Sequence, residues 1–244
     1  MAAATLGRVV LKLTGAAVAG AGLAAGWHWH CMGGFYPLIA ETAVGEGSVF
    51  EFPRHPVPVP GPAGIPADGG DRRIIPLPQP LIEDCFEVLV PRTVFPAHQS
   101  RHFQLETALV DFVRAWYETP LFRLERQILS LTARGEFPPD VSDRTFRINE
   151  QYGFWRVVAR RTQGLSMHFT MGSQFHGTTN FSVLHGPAEY VTLRFGSACG
   201  GTDMPAAAIQ LHRWYSKALL AQTAQHLTQA AERRRHAAEG ADRL

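Results

Sequence analysis

The spacing of apolar residues changes character along the chain, and each change marks an element. From Gln104 to Glu118, Leu105, Leu109, Phe112 and Trp116 recur at helical spacing, with Glu106, Asp111 and Arg114 on other faces. Thr119 and Pro120 then supply an N-cap and a first-turn proline for a second helix. This helix is expected to turn Leu121, Leu124, Ile128 and Leu131 inward and to stop near Gly135 and Pro138. Beyond it the period becomes two. Residues 154–161, 165–171, 178–184 and 190–197 read as strands, separated by Gln163-Gly164, Gly172-Ser173 and Gly186-Pro187. Short connections of this kind make an antiparallel meander. A further strand over Phe86–Val90 precedes the helices, and residues 144–151 have room for another. Asp203 and Pro205 open a last helix through Ile209, Leu211, Tyr215, Ala218, Leu219 and Leu227 towards Arg235.

Before residue 81 the pattern is different. Residues 1–40 contain no acid, and Arg8 and Lys12 precede an uncharged run rich in Ala and Gly that lasts until Glu41. Three readings fit: a single membrane anchor through residues 5–30 with Trp27 and Trp29 at the interface, a mitochondrial-type targeting segment, or a buried helix. Thr14-Gly15 with Gly20 and Gly22 resembles the glycine turn of short-chain dehydrogenases but has one residue too many, and no repeating βα sheet follows it. A nucleotide site is therefore excluded. Residues 41–80 form a linker in which Pro53, Pro56, Pro58, Pro60, Pro62, Pro66, Pro76, Pro78 and Pro80 remove backbone donors and favour extended chain. Residues 81–238 make one domain, and 239–244 a tail.

Composition narrows the function classes. With 45% apolar and 18% charged residues over 244 positions the chain can bury a core. A net charge of +2 is too small for a protein that holds nucleic acid by its phosphates. Cys31, Cys85 and Cys199 are odd in number and far apart, which excludes a disulfide framework and a zinc ribbon.

The element order predicts an α+β domain in which a curved antiparallel sheet grips a long C-terminal helix, a geometry that leaves room for an apolar ligand between sheet and helix. The order resembles the START-like or helix-grip (SRPBCC-type) superfamily. More narrowly, Phe112-Val113-Arg114-Ala115-Trp116-Tyr117, Leu193-Arg194-Phe195-Gly196-Ser197 and His212-Arg213-Trp214-Tyr215-Ser216-Lys217-Ala218-Leu219-Leu220 are similar to a group of domains of unknown function of this type, over about two thirds of the chain. The resemblance implies a fold and a hydrophobic ligand class, not a reaction.

Candidate chemistry follows the strand alternation. Leu165, Met167, Phe169 and Met171 share one face and would form a soft apolar wall, or plain core, while Ser166, His168 and Thr170 share the other. Tyr152, Phe181, Phe195 and Tyr215 join Met167, Phe169 and Met171 as candidate ligand contacts. His168, His176 and Arg194 are the candidate catalytic groups: histidine moves protons near neutral pH, and an inward arginine would need a carboxylate such as Glu106 or an anionic ligand. His176 and His185 flank one strand and, with Thr178, Asn180 and Ser182, could end the pocket. Each of these also has a plainer reading, as a solvated surface or cross-strand residue. His98 and His102 have the spacing of helical metal ligands, continued by Glu106, but proline at 96 takes the first off the helix, and no metal or cofactor is expected. His28, His30 and Cys31 fit an interfacial cap better than a metal site. Cys199 reads as a small residue in a glycine-rich turn, with activation at a helix N-terminus as the sharper alternative. Arg233, Arg234 and Arg235 suit a helix C-terminus.

Two functions remain in front. One is a catalyst that binds a hydrophobic molecule and moves a proton in a cyclisation, dehydration or isomerisation. The other is a non-catalytic carrier of lipid, sterol or quinone held at a membrane. An accessory subunit of a membrane complex is the third. Whether the chain is an enzyme is open at this stage, and a membrane-associated location has a mitochondrial one as its alternative.

Overall fold

The computed structural model describes residues 33–42, 82–96, 103–132, 137, 140–171, 175–200 and 206–241. The expected anchor, almost all of the proline linker, and His98 and His102 lie outside the described residues. A short 3-10 helix, Gly33–Leu38, leads into β1 (Ala40–Glu41). There follow β2 (Ile82–Pro91), α1 (Leu105–Glu118), α2 (Pro120–Thr132), β3 (Gln151–Tyr152), β4 (Trp155–Arg161), β5 (Gly164–Met171), β6 (Phe175–His185), β7 (Tyr190–Gly200) and α3 (Ala206–Ala241). The strands form one curved seven-stranded sheet, ordered β1-β2-β7-β6-β5-β4-β3, with every pairing antiparallel. This is the expected α+β arrangement, with two helices after β2 and the long helix last.

The register lays inward-facing side chains in transverse rows. One row runs Phe86, Phe195, Phe181, Leu165, and its neighbour runs Asp84, Ser197, Thr179, Met167, Val157. Against these rows α1 buries Leu105, Leu109, Phe112 and Trp116, as its spacing predicts. Trp116 is the hub: its ring lies 3.8 Å from Phe122, 5.0 Å from Phe181 and 6.0 Å from Phe195, measured between centroids. The Thr119 hydroxyl accepts a hydrogen bond from the Phe122 amide at 3.3 Å, so the predicted cap is in place. On α3, Ala218, Leu219, Leu220, Ala221, Ala224 and Leu227 close the core, while residues 232–241 are exposed.

Three details correct the sequence reading. On α2 the inward face is rotated: Leu121 is buried as expected, but Leu124 is exposed, and Phe122 and Glu125 point inward in its place. Glu125 lies one turn from both Leu121 and Leu129, so burying those residues carries its carboxyl inside. Cys199 belongs to no turn. It is a buried residue of β7, paired with Ile82 on one side and Gly177 on the other. The first long strand begins at Ile82 rather than Phe86, which adds Asp84 to the inner row.

The first described segment is attached to the domain. Ile39 is buried, the Thr42 amide donates to the Cys85 carbonyl, Glu41 pairs with Arg213, and the Lys217 ammonium lies 4.7 Å from the Tyr36 ring centre. β1 therefore straddles the boundary drawn at residue 41.

Candidate functional site

Strand alternation sends Asp84 to the same face as Phe86, Val88 and Val90. Its side chain has no exposed surface. A carboxyl in that position must find polar partners, and it finds few. The Ser197 amide, across the β2–β7 ladder, donates to Asp84 Oδ1 at 3.2 Å. His212, on the first turns of α3, places Nε2 3.4 Å from Asp84 Oδ2 and 3.2 Å from Ser197 Oγ. Ser197 Oγ in turn lies 3.6 Å from Cys199 Sγ. One helical turn beyond His212 the Ser216 hydroxyl also faces the Asp84 carboxyl. Beyond that contact, neither Asp84 Oδ2 nor Ser216 Oγ has a close hydrogen-bond partner among the described residues.

A second carboxyl lies close by. Tyr215 on α3 donates its phenol proton to Glu125 Oε2 on α2. Asp84 and Glu125 both push the Cys199 thiol upward through their charge, so the two acids flank the same part of β7. Seven groups from β2, β7, α2 and α3 thus gather at one end of an otherwise apolar interior. His212, Glu125 and Tyr215 are only partly buried, whereas Phe86, Phe181, Leu193 and Val183 on the rows beyond are sealed. The polar end is where the interior reaches the surface.

Burial sets the protonation of these groups. It raises Asp84 to about 7, against smaller opposing pulls from the Ser216 hydroxyl and the Ser197 amide. It raises Glu125 to about 7, opposed by the hydrogen bond from Tyr215. It lowers His212 to about 4. The Tyr215 phenol is pushed well up by burial and then by Glu125, and the Cys199 thiol to about 11, chiefly by burial. Asp84 and His212 are close enough for an ion pair, but desolvation disfavours both charges. Between about pH 4 and pH 7 a neutral acid therefore faces a neutral imidazole.

This arrangement offers a proton donor and a proton acceptor side by side, poised near neutrality, with a second acid of similar strength beside them. It is not a nucleophilic triad. In a triad the hydroxyl and the carboxylate bind opposite ring nitrogens, and here both face Nε2. Cys199 is a buried neutral thiol at neutral pH, which removes it as a nucleophile. No group of three or more His, Cys, Asp or Glu among the described residues is placed to hold a metal ion.

The residues named from the sequence divide by face. Met167, Phe169, Phe181 and Phe195 line the inner face and Tyr152 its far edge, all buried, while Tyr215 belongs to the polar cluster. His168 lies opposite Met167 and Phe169, in line with Arg156 and Thr178 on the outer face. Arg194 is also on the outer face, and its carboxylate is Glu87, at 2.9 Å, rather than Glu106, which pairs with Arg160. Thr178, Asn180 and Ser182 are on that same outer face, with Asn180 accepting from Ser166 at 2.7 Å, and His185 is exposed. The side chains of His176 and Met171 lie outside the described residues. Apart from Tyr215 and Cys199, no member of the polar cluster is among the candidates read from the sequence. The signal for Asp84 was nonetheless present: extending the alternation of Phe86, Val88 and Val90 back by two positions lands on it.

No protein-family model and no curated protein sequence matches the chain. Among solved structures, CalU16 from Micromonospora echinospora overlaps with a TM-score of 0.32 at 10% identity, covering 64% of this chain and 84% of that one. An overlap that loose assigns neither family nor function.

Proposed function

We propose that this domain binds a hydrophobic small molecule between the inner face of the sheet and α3, and that the Asp84–His212 pair exchanges a proton with the ligand's polar end. One observation carries the reading. A carboxyl with no exposed surface stands on an apolar sheet face beside an imidazole, and no cation among the described residues is shown to balance it. Such a group weakens the fold once ionised, and groups shifted this way by desolvation concentrate at functional sites. The aromatic rows supply apolar contact, and the acid and imidazole together suit a cyclisation, dehydration or isomerisation.

A carrier role is the second reading. It is favoured by the wall itself, since Met167, Phe169, Phe181 and Phe195 would hold an apolar body with no chemistry at all. The basic, acid-free N-terminal segment supports placing that exchange at a membrane. Native mass spectrometry of the full chain, sprayed from neutral volatile buffer, tests the shared premise. An adduct of metabolite or lipid mass is expected. A bare protein that stays bare after mixing with lipids, quinones and polyketide-like compounds would overturn it.

A further inference from the structure

The two stretches that precede the domain are joined to it in different ways. The acid-free run that reads as an anchor ends at residue 30, and the described domain begins at Gly33. Three residues of extended chain span at most about 11 Å. From Gly33 onward the chain is docked. Phe35 and Tyr36 are partly buried and Ile39 is buried. Glu41 pairs with Arg213, and the Thr42 amide donates to the Cys85 carbonyl at 2.9 Å. β1 is the edge strand of the sheet, and the proline-rich stretch, residues 43–81, leads from it to β2, its neighbour in that sheet. A stretch that begins and ends on one sheet cannot space the domain from whatever residues 1–32 enter.

The short connection leads to one corner of the molecule, the N-terminal part of α3. The Lys217 ammonium lies 4.7 Å from the Tyr36 ring centre, Arg213 reaches Glu41, and His212 beside it faces Asp84 at the polar end. Apolar groups are left showing at this corner. Leu38, 65% exposed, is the most exposed of the large apolar residues described. Pro37 next to it is exposed, and Ile209, Leu211 and Trp214 on the first turns of α3 are only partly buried. Tyrosine and tryptophan beside exposed aliphatic groups suit the interfacial layer of a bilayer, where ring bodies enter lipid and polar tips stay wet.

We propose that this corner, formed by the 3-10 helix Gly33–Leu38 and the first turns of α3, rests on the lipid bilayer that residues 5–30 enter, so that the polar end opens at the membrane surface. The inference rests on the membrane placement of the second reading above and gives it an orientation. An anchor that ends within about 11 Å of Gly33 leaves the domain little room to hang clear, because the headgroup layer alone takes up roughly 5–7 Å. The opposite edge of the sheet is then held away from the lipid. Seven strands at their usual spacing put roughly 25–30 Å of sheet between β1 and β3. Ile148, on the loop before β3, is also an exposed apolar residue, at 55%. Exposure therefore does not distinguish it from Leu38, and distance from the anchor does. A hydrophobic molecule that passes between the bilayer and the polar end does not cross water.

The test uses the full chain with Cys31→Ser, carrying either Leu38→Cys or Ile148→Cys labelled with an NBD fluorophore. Cys85 and Cys199 are buried and escape labelling. Each labelled chain is reconstituted in phosphatidylcholine vesicles with plain or with brominated acyl chains. Both substitutions are at exposed positions, and thermal melts that match the unlabelled chain show that the fold is kept. The label at position 38 is expected to lose about half of its emission in the brominated vesicles, as a group at interfacial depth does, and the label at position 148 none. Equal loss at both positions, or no loss at position 38 in a chain that floats with the vesicles, overturns the orientation and leaves the membrane placement standing. A full chain that does not float with the vesicles overturns both.

Discussion

Asp84 and Glu87 are acids three residues apart on one strand, and the sheet sends them to opposite faces. Glu87 is partly exposed and meets the Arg194 guanidinium at 2.9 Å across the β2–β7 ladder. Asp84 is fully enclosed, receives one backbone N–H, faces an imidazole and the Ser216 hydroxyl, and no cation among the described residues is shown against it. The outer acid is an ordinary surface partner, while the inner one is held protonated up to about pH 7 by its surroundings. The strand position, not the residue type, gives the inner acid a chemistry. The same holds for histidine: His168 faces outward among polar residues, and His212 faces Asp84.

The largest effect should come from the wall of the interior. Trp116 is 3% exposed and touches Phe122, Trp155, Phe181 and Phe195. Trp116→Ala should lower stability by about 3–5 kcal/mol in denaturant melts, since a large cavity would open at the meeting point of α1 and the sheet.

Next comes the enclosed acid. The folded value of about 7 lies above the ordinary 3.8, so between these limits the folded state holds a proton that the unfolded state has lost. Stability therefore falls as pH rises through that window, and the full cost is present above it. Asp84→Asn should be more stable than wild type at pH 8 by roughly 2–4 kcal/mol. It should also lose part of the slope between about pH 4 and pH 7, the remainder coming from Glu125. Urea melts at pH 5 and pH 8 measure both.

Gly177 tests how tightly the inner face is filled at the edge of the polar end. A methyl group there would come within 2.5 Å of the Ala198 carbonyl oxygen and of the Phe169 ring. The carbonyl is backbone and cannot swing aside. Gly177→Ala should cost about 1–3 kcal/mol by thermal or urea melts, as overpacking does. The smallest effect belongs to the outer acid. Glu87→Ala removes a partly exposed ion pair and should change stability by less than about 1 kcal/mol, with no new pH slope. A loss as large as that for Trp116 would erase the contrast between the faces.

Much of the scaffold was legible in the chain. The spacing of Leu105, Leu109, Phe112 and Trp116 predicted α1, and Thr119-Pro120 the cap, because a helix packed on one side records its period in its own residues. β4 to β7 were legible through alternation and short glycine turns. Cys199 was misread because Gly196 and Gly200 look like turn residues. In the sheet both are paired, with Cys85 and His176 respectively. Leu124 was misplaced because apolar character was taken as the guide to the buried face, and here an acid, Glu125, occupies that face. The polar cluster was largely illegible for the same reason. Pattern reading counts apolar residues, whereas this site consists of polar residues on apolar faces, brought together from β2, α2, β7 and α3. Only the pairing of β2 with β7, and the lie of α3 across both, puts Asp84, Ser197 and His212 within reach of one another.

The most direct measurement is a carbon-13 NMR titration of the Asp84 and Glu125 side-chain carboxyls, assigned through Asp84→Asn and Glu125→Gln, from pH 3 to pH 9. The account predicts midpoints of about 7 for both acids. Midpoints near 4 would contradict it, since the acids would then be ordinary carboxylates and the polar end no site at all.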